Sequence, residues 1–319
     1  MKIRINRFIS LVLSLSCCAF LAAACSDWTE QETVGLEIDG PKDQDPAQYA
    51  AYMKALRAYK QSDHIRTYGR LKNAPETSVS EKDFLRSLPD SLDFAAFFNS
   101  DDMTPYDIED IPVVQEKGTR VLYYIDYDQL KDRFADNAAL GGYIDGVLAK
   151  IAKYGLDGAI LAGNPVMGDG SAAQQAASRL LVDKLAAVAG PAANGDKALL
   201  FEGDPTFLAD TDRNKFDYFV LSTADYDNVS DMLLLIREAL DVWGLPASKL
   251  FLSTDPSSTI LSVDQAKVGA LTEVAHLVLS EGPLAGLGIY DIGSDYYDPT
   301  YTYKHIGGVI ALLNASPKN

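Results

Sequence analysis

Residues 154–165 read YGLDGAILAGNP. The stretch is the end of one helix running into a short strand, and along that strand positions 160, 162 and 164 point to one face. The same unit recurs through the chain. Short apolar runs stand at Ile65–Leu71, Leu92–Phe98, Arg120–Ile125, Leu156–Ala162, Ala198–Glu202, Tyr218–Ser222, Lys249–Ser253 and Gly286–Tyr290. Helical patterns fill most intervals, at Ala138–Lys153, Ala172–Val188, Val229–Val242 and Val263–Leu279, and Tyr303–Leu313 closes the chain. The first intervals are less regular, with Ser80–Leu88 a short candidate helix. Eight strands alternating with helices over about 250 residues predict an α/β chain folded as a (β/α)8 TIM barrel. A doubly wound open sheet would use fewer strands, and no glycine-rich nucleotide fingerprint follows the first one.

Outside this region the organisation changes. Lys2, Arg4 and Arg7 precede an apolar stretch from Phe8 to Ala24 that ends in Ala22-Ala23-Ala24, the layout of an export signal. Cleavage there would leave Cys25 first, ready to carry a diacylglycerol, although Leu21 lies one position further from the cysteine than the usual lipobox has it. An ordinary secretory signal or an uncleaved anchor helix is the alternative. The acidic run Ser26–Glu32 resembles the surface-export tags of lipoproteins of Bacteroides type. The expected organisation is a signal over 1–24, a tether and N-terminal helix over 25–62, the helix at Pro46–Lys60, and the barrel over 63–319. The expected location is the outer membrane, at the cell surface, held through the lipid.

Loss of residues 1–24 would take Cys17 and Cys18, leaving Cys25 as the last of three cysteines and no internal disulfide. It would also move the net charge from −17 to −20, since the segment holds three cations and no acid. Such a surface repels phosphate backbones and argues against nucleic acid as a partner.

The opening stretch also carries a family resemblance. Tyr154-Gly155-Leu156-Asp157-Gly158, followed by three alternating positions and a proline, is similar to glycoside hydrolase family 18, which includes chitinases and endo-β-N-acetylglucosaminidases and has the motif D-G-x-D-x-D-x-E. Asp157 and Gly158 match its opening, but its acidic positions fall on Ile160, Ala162 and Asn164. Further likeness lies in Ile65–Gly69, Leu88–Phe94, Gly286–Asp291, Tyr303-Lys304 and Ala311–Asn314. The resemblance implies a mechanism in which a glutamic acid protonates the glycosidic oxygen while an aspartate orients the substrate's own acetamide for attack. Asn164 has no accessible proton and cannot be that acid. A second departure stands at Val220–Ala224, where active members often present a Gln or Met and a Tyr.

The expectation is therefore a barrel without hydrolase activity that holds an N-acetylglucosamine-containing glycan for neighbouring importers and hydrolases. Its ligand contacts would come from the strand ends: Tyr124, Asp126, Asn164, Glu202, Asp204, Tyr226, Asp255, Tyr290, Asp291 and Tyr296, with tyrosine faces as platforms and acids as hydroxyl acceptors. Tyr127, Tyr297 and Tyr301 belong to the same tyrosine-rich neighbourhood. One alternative is a hydrolase with a relocated acid, for which Glu202 with Asp291 is the first pair to consider; another is a scaffold that binds proteins. Acids at loop starts also cap helices, and the chain has 45 acidic residues. No cofactor or metal is expected. Gly163–Ser171 lacks the Lys-Ser/Thr end of a phosphate loop, and Asp225–Asp231 lacks the glycine of a calcium loop and reads as a helix start. His64, His276 and His305 are scattered, and Trp243 is a packing residue.

Overall fold

Eight parallel strands close on themselves, each pairing with its sequence neighbours and the last with the first. They are β1 (Arg66–Leu71), β2 (Phe94–Phe97), β3 (Arg120–Asp126), β4 (Gly158–Gly163), β5 (Ala198–Gly203), β6 (Tyr218–Leu221), β7 (Leu250–Thr254) and β8 (Gly286–Ile289). The longer helices are α1 (Pro46–Gln61), α2 (Pro105–Glu116), α3 (Asn137–Lys153), α4 (Ser171–Ala186), α5 (Val229–Arg237), α6 (Ala270–Ser280) and α7 (Lys304–Leu313), with a single helical turn at Tyr127–Leu130. The chain is thus a (β/α)8 barrel. This computed structural model describes residues 40–77, 80–168, 171–193 and 195–315, so the signal segment, Cys25 and the acidic tag lie outside the described residues. Two units are distinguished, with their boundary at Ala50; of the first, the described part holds a helical turn at Pro41–Gln44 and the start of α1.

Period-two alternation divides the core in two. Inward residues Tyr68, Phe94, Leu122, Ile160, Leu200 and Phe251 fill the barrel, while outward neighbours such as Val121, Leu161, Phe201 and Phe219 pack beneath Ile144 of α3, Leu181 of α4 and Val278 of α6. The bulky inward rings require a gap opposite them. A Cβ on Gly286 would lie 2.3 Å from the Phe251 ring, so β8 carries glycine there.

An aspartate before alternate strands fixes the closed end of the barrel. Asp93 accepts from Thr67 N at 2.8 Å, Asp157 from Val121 N at 2.8 Å and Asp217 from Leu199 N at 2.9 Å. In each case the carboxylate ahead of one strand accepts from the backbone N of the second residue of the preceding strand. Asp157 also receives Gln115 Nε2 at 2.8 Å. Gly158 has φ 144°, and a Cβ on it would fall 1.9 Å from Ala198 O. The Asp-Gly pair that carries the family resemblance therefore has a structural task at the end of the barrel away from the strand tips.

Three local expectations change. Ser80–Leu88 holds only the short 3-10 turn Leu85–Ser87, and α2 forms where no helix was predicted. Its inward face includes the buried carboxylates Asp107 and Asp110 beside Ile111 and Val114, so apolar periodicity does not reveal it. Asp107 is satisfied by Ala74 N, Thr104 N and Asn73 Nδ2, and Asp110 by Arg86. The helix predicted from Val263 begins at Ala270, because a two-stranded antiparallel hairpin, Thr259–Leu261 with Lys267–Gly269, occupies the preceding stretch and turns through Gln265 at φ 63°. The helix predicted over Val229–Val242 is α5, continued by a π-helical turn at Glu238–Val242.

Candidate functional site

The carboxyl ends of β3, β4 and β5 set Asp126, Ala162 and Glu202 side by side in register. Together with Arg70 from β1, Phe98 after β2, Asp128, Asn164, Ser222, Asp225 and Tyr290 they line a cavity of about 420 Å³ at the barrel mouth. Ile160 and Ala162 face the barrel interior, as the alternation predicted, and contribute only apolar packing.

At the cavity floor a buried ion pair dominates. Arg70 Nη1 donates to Glu202 Oε1 at 2.6 Å and to the Tyr124 hydroxyl at 2.6 Å, and that hydroxyl donates to the same Glu202 oxygen at 2.9 Å. The guanidinium lies 4.0 Å from the centre of the Tyr290 ring, 4.6 Å from Phe98 and 4.9 Å from Tyr124, which places one cation among three aromatic rings. Burial pushes the Glu202 carboxyl upward and the charge of Asp126 adds to this, against the opposing pull of Arg70 and Tyr124. Burial is the largest influence on Arg70 and works against its charge, but the Glu202 carboxylate together with Tyr68, Tyr124 and Tyr290 outweighs it and keeps the guanidinium protonated. The cluster is incompletely satisfied: Glu202 Oε2, Arg70 Nε and the hydroxyls of Tyr68 and Tyr290 are buried without a hydrogen-bond partner.

Asn164 stands at the rim, where the motif position of the family's acid falls. Its backbone N and Nδ2 donate to Asp128 Oδ2 at 3.1 and 2.9 Å, and its Oδ1 accepts from Asp204 N at 3.2 Å. It therefore braces the loops after β3, β4 and β5 to one another. Asp126 is turned to Gln129, whose backbone N and Nε2 it accepts at 3.2 and 2.8 Å.

Of the residues expected to contact ligand, the fold gathers Tyr124, Asp126, Asn164, Glu202 and Tyr290 around this cavity. Others have separate tasks. Asp204 caps Thr206 and Asp255 caps Ser257. Asp291, in the left-handed region at φ 44°, pairs with Lys72 at 3.1 Å. Tyr226 packs against the outer core, as does Tyr296, whose hydroxyl donates to Glu81 at 2.7 Å. Tyr127 packs on Phe207 with ring centres 5.1 Å apart, and Tyr297 and Tyr301 are exposed. The expected open platform of tyrosines is thus replaced by two tyrosines whose rings flank an arginine. Of the acid pair considered first, Glu202 lines the cavity and is paired with Arg70, whereas Asp291 is paired with Lys72.

Sequence reading passed over Arg70 and Phe98. A signal existed for the arginine, since in Arg66–Leu71 it shares the inward face with Tyr68 at the strand's carboxyl end. Among the described residues no cluster of three or more His, Cys, Asp or Glu side chains is placed to hold a metal ion.

Residues 29–140 match the family model described as Glycoside hydrolase family 18, BT1044-like. That segment ends before β4, so the match does not include the altered motif. Among solved structures, a selenomethionine form of BT1044 with a Glu-to-Gln substitution superposes with a TM-score of 0.65 at 18% identity, covering 86% of this chain and 95% of that one. The endo-β-N-acetylglucosaminidase from Cordyceps militaris, in apo form, gives 0.63 at 19% identity over 83% and 96% of the two chains. A family 18 chitinase from Pseudoalteromonas aurantia gives 0.53 at 14% identity over 76% and 98%. Comparison with curated proteins finds no match. At these identities the superpositions speak for the fold. The chain thus matches glycoside hydrolase family 18, BT1044-like, by sequence over residues 29–140, and its barrel has the fold of solved family 18 structures.

Proposed function

We propose that this protein binds N-acetylglucosamine-containing glycans at the barrel mouth without hydrolysing them. The observation that carries the reading is the state of the carboxylates there. The strand-four positions of the family's acids are Ile160, Ala162 and Asn164, and the buried carboxylate beside them, Glu202, gives one oxygen to Arg70 and Tyr124 and has the other enclosed. A general acid must come within about 3 Å of the oxygen it protonates. Neither Glu202 oxygen is free to do so while Arg70 stays in place. The mouth cavity, with polar rim groups above an aromatic floor, supports a ligand-binding role.

In this reading Cys25 carries a lipid at the outer membrane, and the barrel presents captured glycan to a neighbouring importer and to true hydrolases. The test is calorimetric titration of the soluble form starting at Ser26 with N-glycans and chitooligosaccharides, followed by mass analysis of the recovered sugars. Binding with the sugars intact is expected. Cleavage would assign the chemistry to a carboxylate outside strand four, and a Glu202→Gln variant that lost turnover would identify it. Absence of binding to every glycan would favour a protein-binding scaffold.

A further inference from the structure

The mouth cavity is a well on the barrel axis. In the closed ring of strands β1 stands opposite β5, β2 opposite β6 and β4 opposite β8. Each of these pairs walls the cavity from both sides: Arg70 with Glu202, Phe98 with Asp225, Asn164 with Tyr290. Tyr124 adds β3, and among the described residues β7 alone contributes no lining side chain. The bottom is closed as well. Arg70 reaches Glu202 at 2.6 Å across the axis, and below that pair the buried Leu122, Ile160, Leu200 and Phe251 fill the interior. The walls are tied to one another. Asn164 joins the loops after β3, β4 and β5 through Asp128 and Asp204, and Lys72 after β1 meets Asp291 after β8 at 3.1 Å. The volume, about 420 Å³, is towards the small end of the roughly 300–1,000 Å³ common for small-molecule sites.

We infer that the protein takes a glycan by one end, with the terminal sugar lowered into this well along the barrel axis and the rest of the chain left outside the mouth. The inference rests on the glycan-binding reading and narrows it to chain ends. A glycan held by its interior enters a site on one side and leaves on another, so it needs two gaps in the wall. Here side chains stand on every side of the ring except that of β7, which leaves one gap. Passage underneath is closed too, because the core below the Arg70–Glu202 pair is packed as densely as protein interiors are. The ties at Asn164 and at Lys72–Asp291 oppose the opening of a second gap.

The test titrates the soluble chain, beginning at Ser26, with N-acetylglucosamine oligomers of increasing length. The longest is also used in two blocked forms, one reduced to the open-chain alditol at its reducing end and one carrying a bulky ether at its non-reducing end. Beyond the shortest oligomers, affinity is expected to stay constant within about threefold, and one blocked form, not both, is expected to bind at least about tenfold more weakly. Sensitivity to neither end or to both overturns end capture and leaves the glycan reading standing, as does affinity that climbs with every added unit. A Ser222→Phe variant, which fills the β6 side of the well, is expected to lose binding of every oligomer with an unchanged melting transition. Full affinity in that variant, with the fold intact, places the sugar outside the well and overturns the inference. If no oligomer binds, the inference falls, and the titration with N-glycans shows whether the glycan reading falls with it.

Discussion

At the scale of single residues, Arg70 and Glu202 define the mouth more than any tyrosine does. Taking one partner away leaves the other's charge buried, which costs far more than the pair contributes as a whole. Glu202→Gln should therefore destabilise the barrel by about 3 kcal/mol in urea unfolding, whereas joint replacement, Arg70→Met with Glu202→Leu, should cost much less. His64 provides a second residue-level prediction. Its Nδ1 faces Ser62 O at 2.9 Å and its Nε2 faces Asp93 Oδ1 at 2.8 Å, both of which only accept, so the ring serves as a double donor in its protonated form. The hydrogen bond to Asp93 raises its pKa above 6.5, against desolvation and the charge of Arg66. The resulting stability is fully present below the unfolded-state value and is lost as pH rises through the folded-state one. The melting temperature should thus fall as pH rises from about 6 towards 8, and His64→Gln should flatten that part of the profile.

At the scale of elements, α2 and β4 show how much of a local structure is written locally. The N-terminus of α2 is a capping box: Asp107 N donates to Thr104 Oγ1 at 3.3 Å and Thr104 N to Asp107 Oδ2 at 2.8 Å, with Pro105 opening the first turn. Thr104→Ala should cost about 1 kcal/mol by thermal unfolding. Asp107→Ala should cost more, roughly 2–3 kcal/mol, because the buried donor at Ala74 N loses its acceptor as well. The capping signal was present in the sequence. The helix behind it escaped notice because its inward face includes carboxylates, and their partners, Asn73, Ala74 and Arg86, come from other parts of the chain. In β4 the reverse holds. Gly158 sits at a φ that other residues avoid and against Ala198 O, so Gly158→Ala should destabilise by about 3 kcal/mol or more. That glycine was legible as part of a motif, and its reason is the close approach of β5.

Across the whole molecule, charge is the dominant property. With a net charge of −17, the folded chain repels itself, and salt screens this over a distance of about 10 Å at 0.1 M. The melting temperature should rise on adding sodium chloride from about 10 to 150 mM, and the rise should be smaller at pH 5, where carboxylates begin to protonate. The sequence by itself determined the barrel. Strand alternation and helix spacing are local periodicities, and eight such units have one efficient way to bury both faces of a parallel sheet. It also determined that strand four carries no acid at Ile160, Ala162 or Asn164. Tertiary structure alone decided what stands at the mouth instead. Arg70 and Glu202 are 132 residues apart, and Lys72 and Asp291 are 219 apart, so no window of sequence contains either pair. Strand ends that looked alike as acids in the chain were separated by closure of the barrel into an ion pair, loop braces and caps, because register and side-chain direction are fixed only when all eight strands meet.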